Sequence, residues 1–276
     1  QGSTFNGFFN NYDGLASGLQ PIGVKYDDAS RKVVCTLEQD DIMDGLNWLH
    51  KWYQDGIINP DANVVTDGGK GSIFGSAQGW PAVATTWAFN QGIVKYDLTQ
   101  VFGPLYTTET IQGSMNAISA NSKYKTEALK VLQLMNTDPK FRDMCAYGTE
   151  GNYMEYAEDG TVQKLRDDWN WPSYTQGTFF ILSTQADGDP DAWNQVKEQN
   201  ESATSSTCLG FALDVTNIQN EIANCNTVWD KYKNDLLTGA SDPATAVPAC
   251  IEELKAAGLD TVIEEAQKQV DEFFAN

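Results

Sequence analysis

The sequence predicts a helix-rich α/β protein that closes in an all-helical segment. Three observations carry this. Short β-branched runs alternate with amphipathic stretches in the first half. Apolar residues then recur at spacings of three and four throughout the last quarter. Glycines and Asp-Pro pairs punctuate the chain where helices would stop and start. At 276 residues with 41% hydrophobic and 11% aromatic content, the chain can bury a sizeable core.

Residues 1–37 read as loop, rich in Asn and Gly around Phe5–Asn11, followed by a strand over Lys32–Leu37. Ile42, Leu46, Leu49 and Tyr53 fall at helical spacing, with Asp40 or Asp41 as cap and Gly56 as stop. The lone histidine, His50, lies on this helix; a partly exposed surface residue is expected in preference to a catalytic one. A glycine-dense segment, Gly68–Gly75, leads to Gly79-Trp80-Pro81 and Trp87. The residue before a proline is driven toward extended geometry, which puts Trp80 on a loop or strand end.

Further on, Gly113–Ser119 reads as a strand, and Ala128, Leu132 and Met135 mark one face of a helix. Asp138-Pro139 opens a short helix over Lys140–Ala146, and Glu158–Thr161 reads as a hairpin turn. The most aromatic stretch is Trp169–Tyr174, where Trp171 again precedes a proline. In the last quarter Ile218, Ile222, Cys225, Trp229, Tyr232 and Leu236 share one stripe, ended by Gly239. Asp242-Pro243 opens the next helix, Gly258 leads into a new cap, and Val262, Ala266, Val270 and Phe273 mark the final one.

The charge balance, 38 acids against 18 bases, would repel phosphate backbones, so nucleic acid is excluded as a partner. No apolar run approaches a membrane span. The chain starts abruptly at Gln1, as a mature or truncated form would. The five cysteines, Cys35, Cys145, Cys208, Cys225 and Cys250, lack metal or redox spacing and read as small buried hydrophobes; a bridge between one pair stays open. Asp187, Asp189, Asp191 and Glu198 match a calcium-loop count, but Pro190 interrupts it and Ala192 stands where glycine is needed, so helix capping is the expected role.

No catalytic constellation is expected. A serine triad would have to use His50 without the G-x-S-x-G turn, and Gly68–Gly75 lacks the Gly-Lys-Ser/Thr ending of a phosphate loop. Neither a metal nor a cofactor is predicted. What remains is a set of loop aromatics beside amides and small polar groups. Sugars present apolar C–H faces ringed by hydroxyls, so a site for them needs flat rings with convergent donors and acceptors. The candidate ligand-binding residues are Trp80, Trp87, Asn116, Glu150, Asn152, Tyr153, Trp171 and Tyr174.

The segment Leu46–Asp61, with its aromatic helix and DGIINPDA turn, resembles extracellular solute-binding proteins of sugar ABC importers, as does the order Gly79–Trp87, Val101–Leu105, Gly113–Ser119 and the Lys123–Asn136 helix. Leu237–Gly239, Asp242-Pro243, Glu253–Asp260 and Glu264–Phe273 are similar to the closing signature of a lipoprotein subgroup that carries an additional C-terminal domain of unassigned function. The resemblance implies a periplasmic-binding-protein-like fold of two α/β lobes closing at a hinge. It further implies that this chain is the C-terminal portion of such a protein, with residues 1–160 in the solute-binding core and 161–276 as a family-specific segment on the same lobe. Expected by resemblance are an oligosaccharide ligand, an ABC permease as membrane partner, a monomeric state and a lipid-anchored extracellular location whose anchor is not in this chain. A carboxylate-pair glycosidase and a peptide-binding or adhesion module are the alternatives.

Overall fold

A computed structural model describes residues 4–65, 79–81, 83, 98–166, 168–169, 171, 175–186 and 188–275. In chain order the described elements are β1 (Tyr12–Asp13), β2 (Ile22–Lys25), β3 (Val34–Cys35), α1 (Asp40–Gln54), β4 (Leu105–Tyr106), α2 (Thr108–Ile111), α3 (Lys125–Thr137) and α4 (Pro139–Tyr147). There follow β5 (Met154–Tyr156), β6 (Val162–Lys164), α5 (Ala192–Glu201), β7 (Thr204–Ser205), α6 (Gln219–Thr238), α7 (Pro243–Ala256) and α8 (Leu259–Phe274). The chain forms two compact units, neither continuous in sequence. Residues 1–76, 105–111 and 205–276 make the first; residues 77–104 and 112–204 make the second. No described helix is long and apolar enough to cross a membrane.

The first unit is built around α6. Its buried stripe of Ile222, Cys225, Trp229 and Leu236 meets α1, α7 and α8, which contribute in turn Ile42, Leu46 and Leu49; Val247, Cys250 and Leu254; and Leu259, Val262, Ala266 and Val270. The antiparallel sheet β1-β2-β3 adds Ile22, Val24 and Cys35 to the same core. Trp229 fills the centre, with its indole N–H donating to the Gln20 side chain at 3.1 Å and its ring edge-on to Phe9 at 6.1 Å. The chain's two ends are joined directly: Phe5 N–H donates to Leu237 C=O at 2.8 Å, and Leu213 N–H to Leu15 C=O at 2.9 Å.

Gly239 must be glycine on two counts. It takes φ +77°, and a Cβ there would collide with the backbone of Leu49 and His50. His50 seals the same junction, its Nδ1 lying 2.8 Å from Gly239 C=O, so this histidine ties α1 to the end of α6.

The second unit holds α3, α4, the β5–β6 hairpin and α5 around a small core of Tyr147, Met154, Val162 and Leu182. Asp138 caps α4 by accepting from Phe141 N–H at 3.0 Å, and Gly160 turns the hairpin at φ +82°. Behind the hairpin, buried Asp143 accepts from Tyr156 Oη at 2.9 Å and from Ser183 N and Oγ at 2.9 and 2.7 Å. Burial, reinforced by the Asp143 hydrogen bond, pushes the Tyr156 phenol well above its ordinary range.

Several sequence expectations are corrected. The strand expected over Lys32–Leu37 shrinks to Val34–Cys35, because the chain turns at once into a 3-10 turn, Thr36–Glu38, that leads into α1. Asp40 and Asp41 lie inside the first turn of α1 rather than capping it; Asp41 accepts from Tyr12 Oη at 2.7 Å instead. Residues 113–119 form no strand: they are irregular and mostly exposed, Met115 at 74%. A strand half-buries its alternating face, and here every residue but the half-buried Ile118 is exposed. Gly258 itself stands at the N-cap of α8, and Phe273 is 51% exposed, whereas Val270 closes the buried stripe. All five cysteines are free thiols, four of them buried and Cys145 partly so. Among the described residues there is no group of three or more His, Cys, Asp or Glu side chains that could hold a metal. Asp189 accepts from Asp191 N–H at 2.9 Å and from the Gln195 amide at 2.7 Å, at the start of α5.

Candidate functional site

The described candidates all fall in the second unit, and three short stretches bring its best-formed group together. The first is the turn between α4 and β5. Asn152 and Tyr153 donate their backbone N–H groups to Thr149 C=O at 3.2 and 2.9 Å, while Gly151 N–H donates to Met154 C=O at 2.8 Å. The second follows β6, where Leu165 N–H donates to Tyr153 C=O at 2.8 Å and holds the next residues beside the turn. The third is the last turn of α4, whose Cys145 C=O accepts from the Trp169 indole at 3.0 Å.

The result is a pair of rings with a polar rim. Tyr153 and Trp169 lie 5.2 Å apart between ring centroids at 55°, both half-buried. The Arg166 guanidinium sits 4.8 Å from the Tyr153 ring centroid, a cation–π contact. Asp168 engages the same guanidinium side-on, with Nε and Nη2 donating to its two oxygens at 2.9 and 2.5 Å. Nη1 reaches Asn152 Oδ1 at 3.4 Å. The ion pair holds Arg166 above its ordinary pKa and Asp168 below the usual carboxylate range, the hydrogen bonds between them being the largest cause.

Tyr153 is placed from beneath by Gly148. That residue takes φ +91°, and a Cβ on it would come within 2.5 Å of the Tyr153 Cβ. The close approach turns the tyrosine ring outward toward Trp169.

Of the sequence candidates, the structure brings Asn152 and Tyr153 into this group, with Glu150 exposed at the start of the same turn. Trp171 is half-buried two residues beyond Trp169. Trp80 is loop-borne and half-buried, its carbonyl accepting from Val83 N–H at 3.0 Å; among the described residues no ring contact joins it to Tyr153 or Trp169. Asn116 is exposed on the irregular segment. Trp87 and Tyr174 lie outside the described residues. Residue-level reading missed Trp169, Arg166 and Asp168. Trp169 stood in the aromatic stretch, but the pairing across the hairpin that sets it beside Tyr153 has no local signature.

A second aromatic group lies in the first unit, on the outer face of α1. Trp48 and Trp52 are 57% and 41% exposed, 6.3 Å apart, and with Phe5, Phe8, Gly45 and Leu49 they line a shallow apolar groove of about 280 Å³.

Residues 207–275 match the family described as a domain of unknown function (DUF3502), a stretch that lies wholly in the first unit. Along 97% of its length the chain is 28% identical to a carbohydrate ABC transporter substrate-binding protein of Streptococcus pneumoniae, and it spans 57% of that relative. Its backbone is similar to crystal structures of the N-glycan transport solute binding protein (NgtS) of the same organism. The form without a named ligand gives a TM-score of 0.83 at 26% identity, over 96% of this chain and 61% of that one. The complex with Man1GlcNAc gives 0.81 at 26% identity, over 96% and 62%, and that with Man5GlcNAc 0.75 at 26%, over 96% and 61%. A solute-binding protein of Bifidobacterium longum infantis, 14% identical with a TM-score of 0.52, shares the fold. The likeness carried by the helix-and-turn and closing motifs therefore extends along nearly the whole chain, which is similar to carbohydrate ABC-transporter substrate-binding proteins over 57–62% of their length.

Proposed function

We propose that this chain supplies part of the carbohydrate-binding receptor of an ABC importer, and that the Tyr153–Trp169 pair with its rim of Asn152, Arg166, Asp168 and Glu150 is a surface on which a sugar stacks. The observation that carries the reading is this one group: two half-buried rings side by side, ringed by hydrogen-bonding side chains, in a homologue of glycan-binding proteins. A pyranose lays its C–H face on an indole or phenol while its hydroxyls meet the rim. Trp80, Trp87, Asn116, Trp171 and Tyr174 are proposed as further contacts on the same ligand.

The role is that of a receptor and not of an enzyme. It hands an unaltered oligosaccharide to a membrane permease, acts as a monomer on the cell exterior, and is held there in its full-length form by a lipid anchor. Titration of neutral oligosaccharides into the full chain, followed by tryptophan fluorescence and calorimetry, is expected to give saturable binding with the sugar recovered intact. Tyr153→Ala and Trp169→Ala should each weaken it by about 1–2 kcal/mol, roughly five- to thirtyfold in Kd. Unchanged emission across a broad glycan panel, or release of reducing ends, would overturn the reading.

A further inference from the structure

Arg166 is the only cation in residues 148–153 and 165–171, against Glu150, Asp167 and Asp168. An arginine beside a sugar platform would ordinarily recruit a carboxylate, through two parallel N–H···O bonds from one edge of its fork. Here that edge is occupied. Nε and Nη2 both donate to Asp168, Nη1 faces Asn152 Oδ1, and the flat face of the guanidinium covers Tyr153. Asp168 is only two residues from Arg166, so the chain keeps its carboxylate within reach of the guanidinium. A sugar carboxylate arriving at this rim would meet a neutralised arginine and the Asp168 charge itself.

We infer that Asp168 is a specificity-determining residue, which neutralises Arg166 and reserves the Tyr153–Trp169 platform for uncharged sugars against sialylated or uronic-acid-bearing ones. The inference rests on the carbohydrate-binding reading above. Discrimination of this kind works against the wrong ligand: an incoming carboxylate would have to displace Asp168 from the fork or sit beside its charge. Both members of the pair are about half exposed, so the effect is moderate and screened by salt.

The test uses the full chain and a biantennary complex N-glycan with and without its terminal sialic acids, together with Man5GlcNAc, by calorimetry at low and at high salt. The unsialylated glycan is expected to bind about tenfold more tightly than the sialylated one. Asp168→Asn frees the fork and should narrow that ratio about fivefold at low salt, and less at high salt. Adding Arg166→Gln to Asp168→Asn removes the freed cation and should take away the sialylated glycan's gain in binding, which a merely structural role for the loop would not do. Equal binding of the two glycans by the unmodified chain, or an unchanged ratio in Asp168→Asn with its thermal midpoint intact, overturns the inference and leaves the carbohydrate reading standing. Failure to bind any neutral glycan overturns both.

Discussion

Gly148 decides where one ring points. At φ +91° it occupies backbone space that a side chain enters only under strain, and any Cβ there would displace Tyr153. Gly148→Ala is therefore expected to weaken glycan binding about as much as Tyr153→Ala does, although residue 148 touches no ligand. The paired readout is Kd alongside near-ultraviolet circular dichroism, which reports the displaced tyrosine and tryptophan. At this scale the sequence was half legible. Asn152 and Tyr153 stand out because glycine and amide neighbours mark a turn. Trp169 and Arg166 do not, since their meeting with Tyr153 depends on the β5–β6 register, and Asp168 gains its meaning only through Arg166.

At the scale of elements, helices were far more legible than strands. A helix writes its buried face into spacings of three and four, and α1, α3, α6 and α8 follow from such spacings, while α4 and α7 follow from their Asp-Pro starts. The expected strand at Gly113–Ser119 failed because the stretch holds a single β-branched residue, Ile118, and a strand needs a partner that local sequence does not name. Periodicity also leaves unsaid which tryptophan bears the load. Trp229 of α6 is 3% exposed and sits at the centre of the core, whereas Trp48 of α1 is 57% exposed. Urea unfolding is expected to register about 3–5 kcal/mol of lost stability for Trp229→Ala and roughly 0.5 kcal/mol or less for Trp48→Ala. Comparable losses for the two would mean that the outer face of α1 is covered in solution.

For the whole molecule, buried acids of high pKa set the alkaline limit. Burial raises the thiols of Cys35, Cys208 and Cys225 to about 11 and that of Cys250 to about 12, from an ordinary 9.0. A group whose folded pKa is raised favours the folded state in its protonated form. Its contribution is complete below pH 9 and is lost as pH climbs toward 11–12, where the unfolded chain has already shed the proton. The urea midpoint should accordingly fall steadily above pH 9. In the same preparations at pH 8, a thiol reagent should label the partly exposed Cys145 first and the four buried cysteines only on unfolding. Rapid labelling of all five in the native protein would contradict the packing described.

The interleaving of the two units has a consequence for how the molecule comes into being. Strands β1–β3 and helix α1 leave the ribosome well before α6, α7 and α8, the helices beyond residue 205 whose surfaces cover them. Until residues beyond 205 have been synthesised, Leu15, Leu19, Ile22 and Leu46 lack the α6–α8 part of the core that buries them. Folding of the first unit is thus postponed until that segment is made, through contacts of very high sequence separation, which are slow to form. Truncation before α8 should accordingly leave an insoluble product rather than a shorter folded chain.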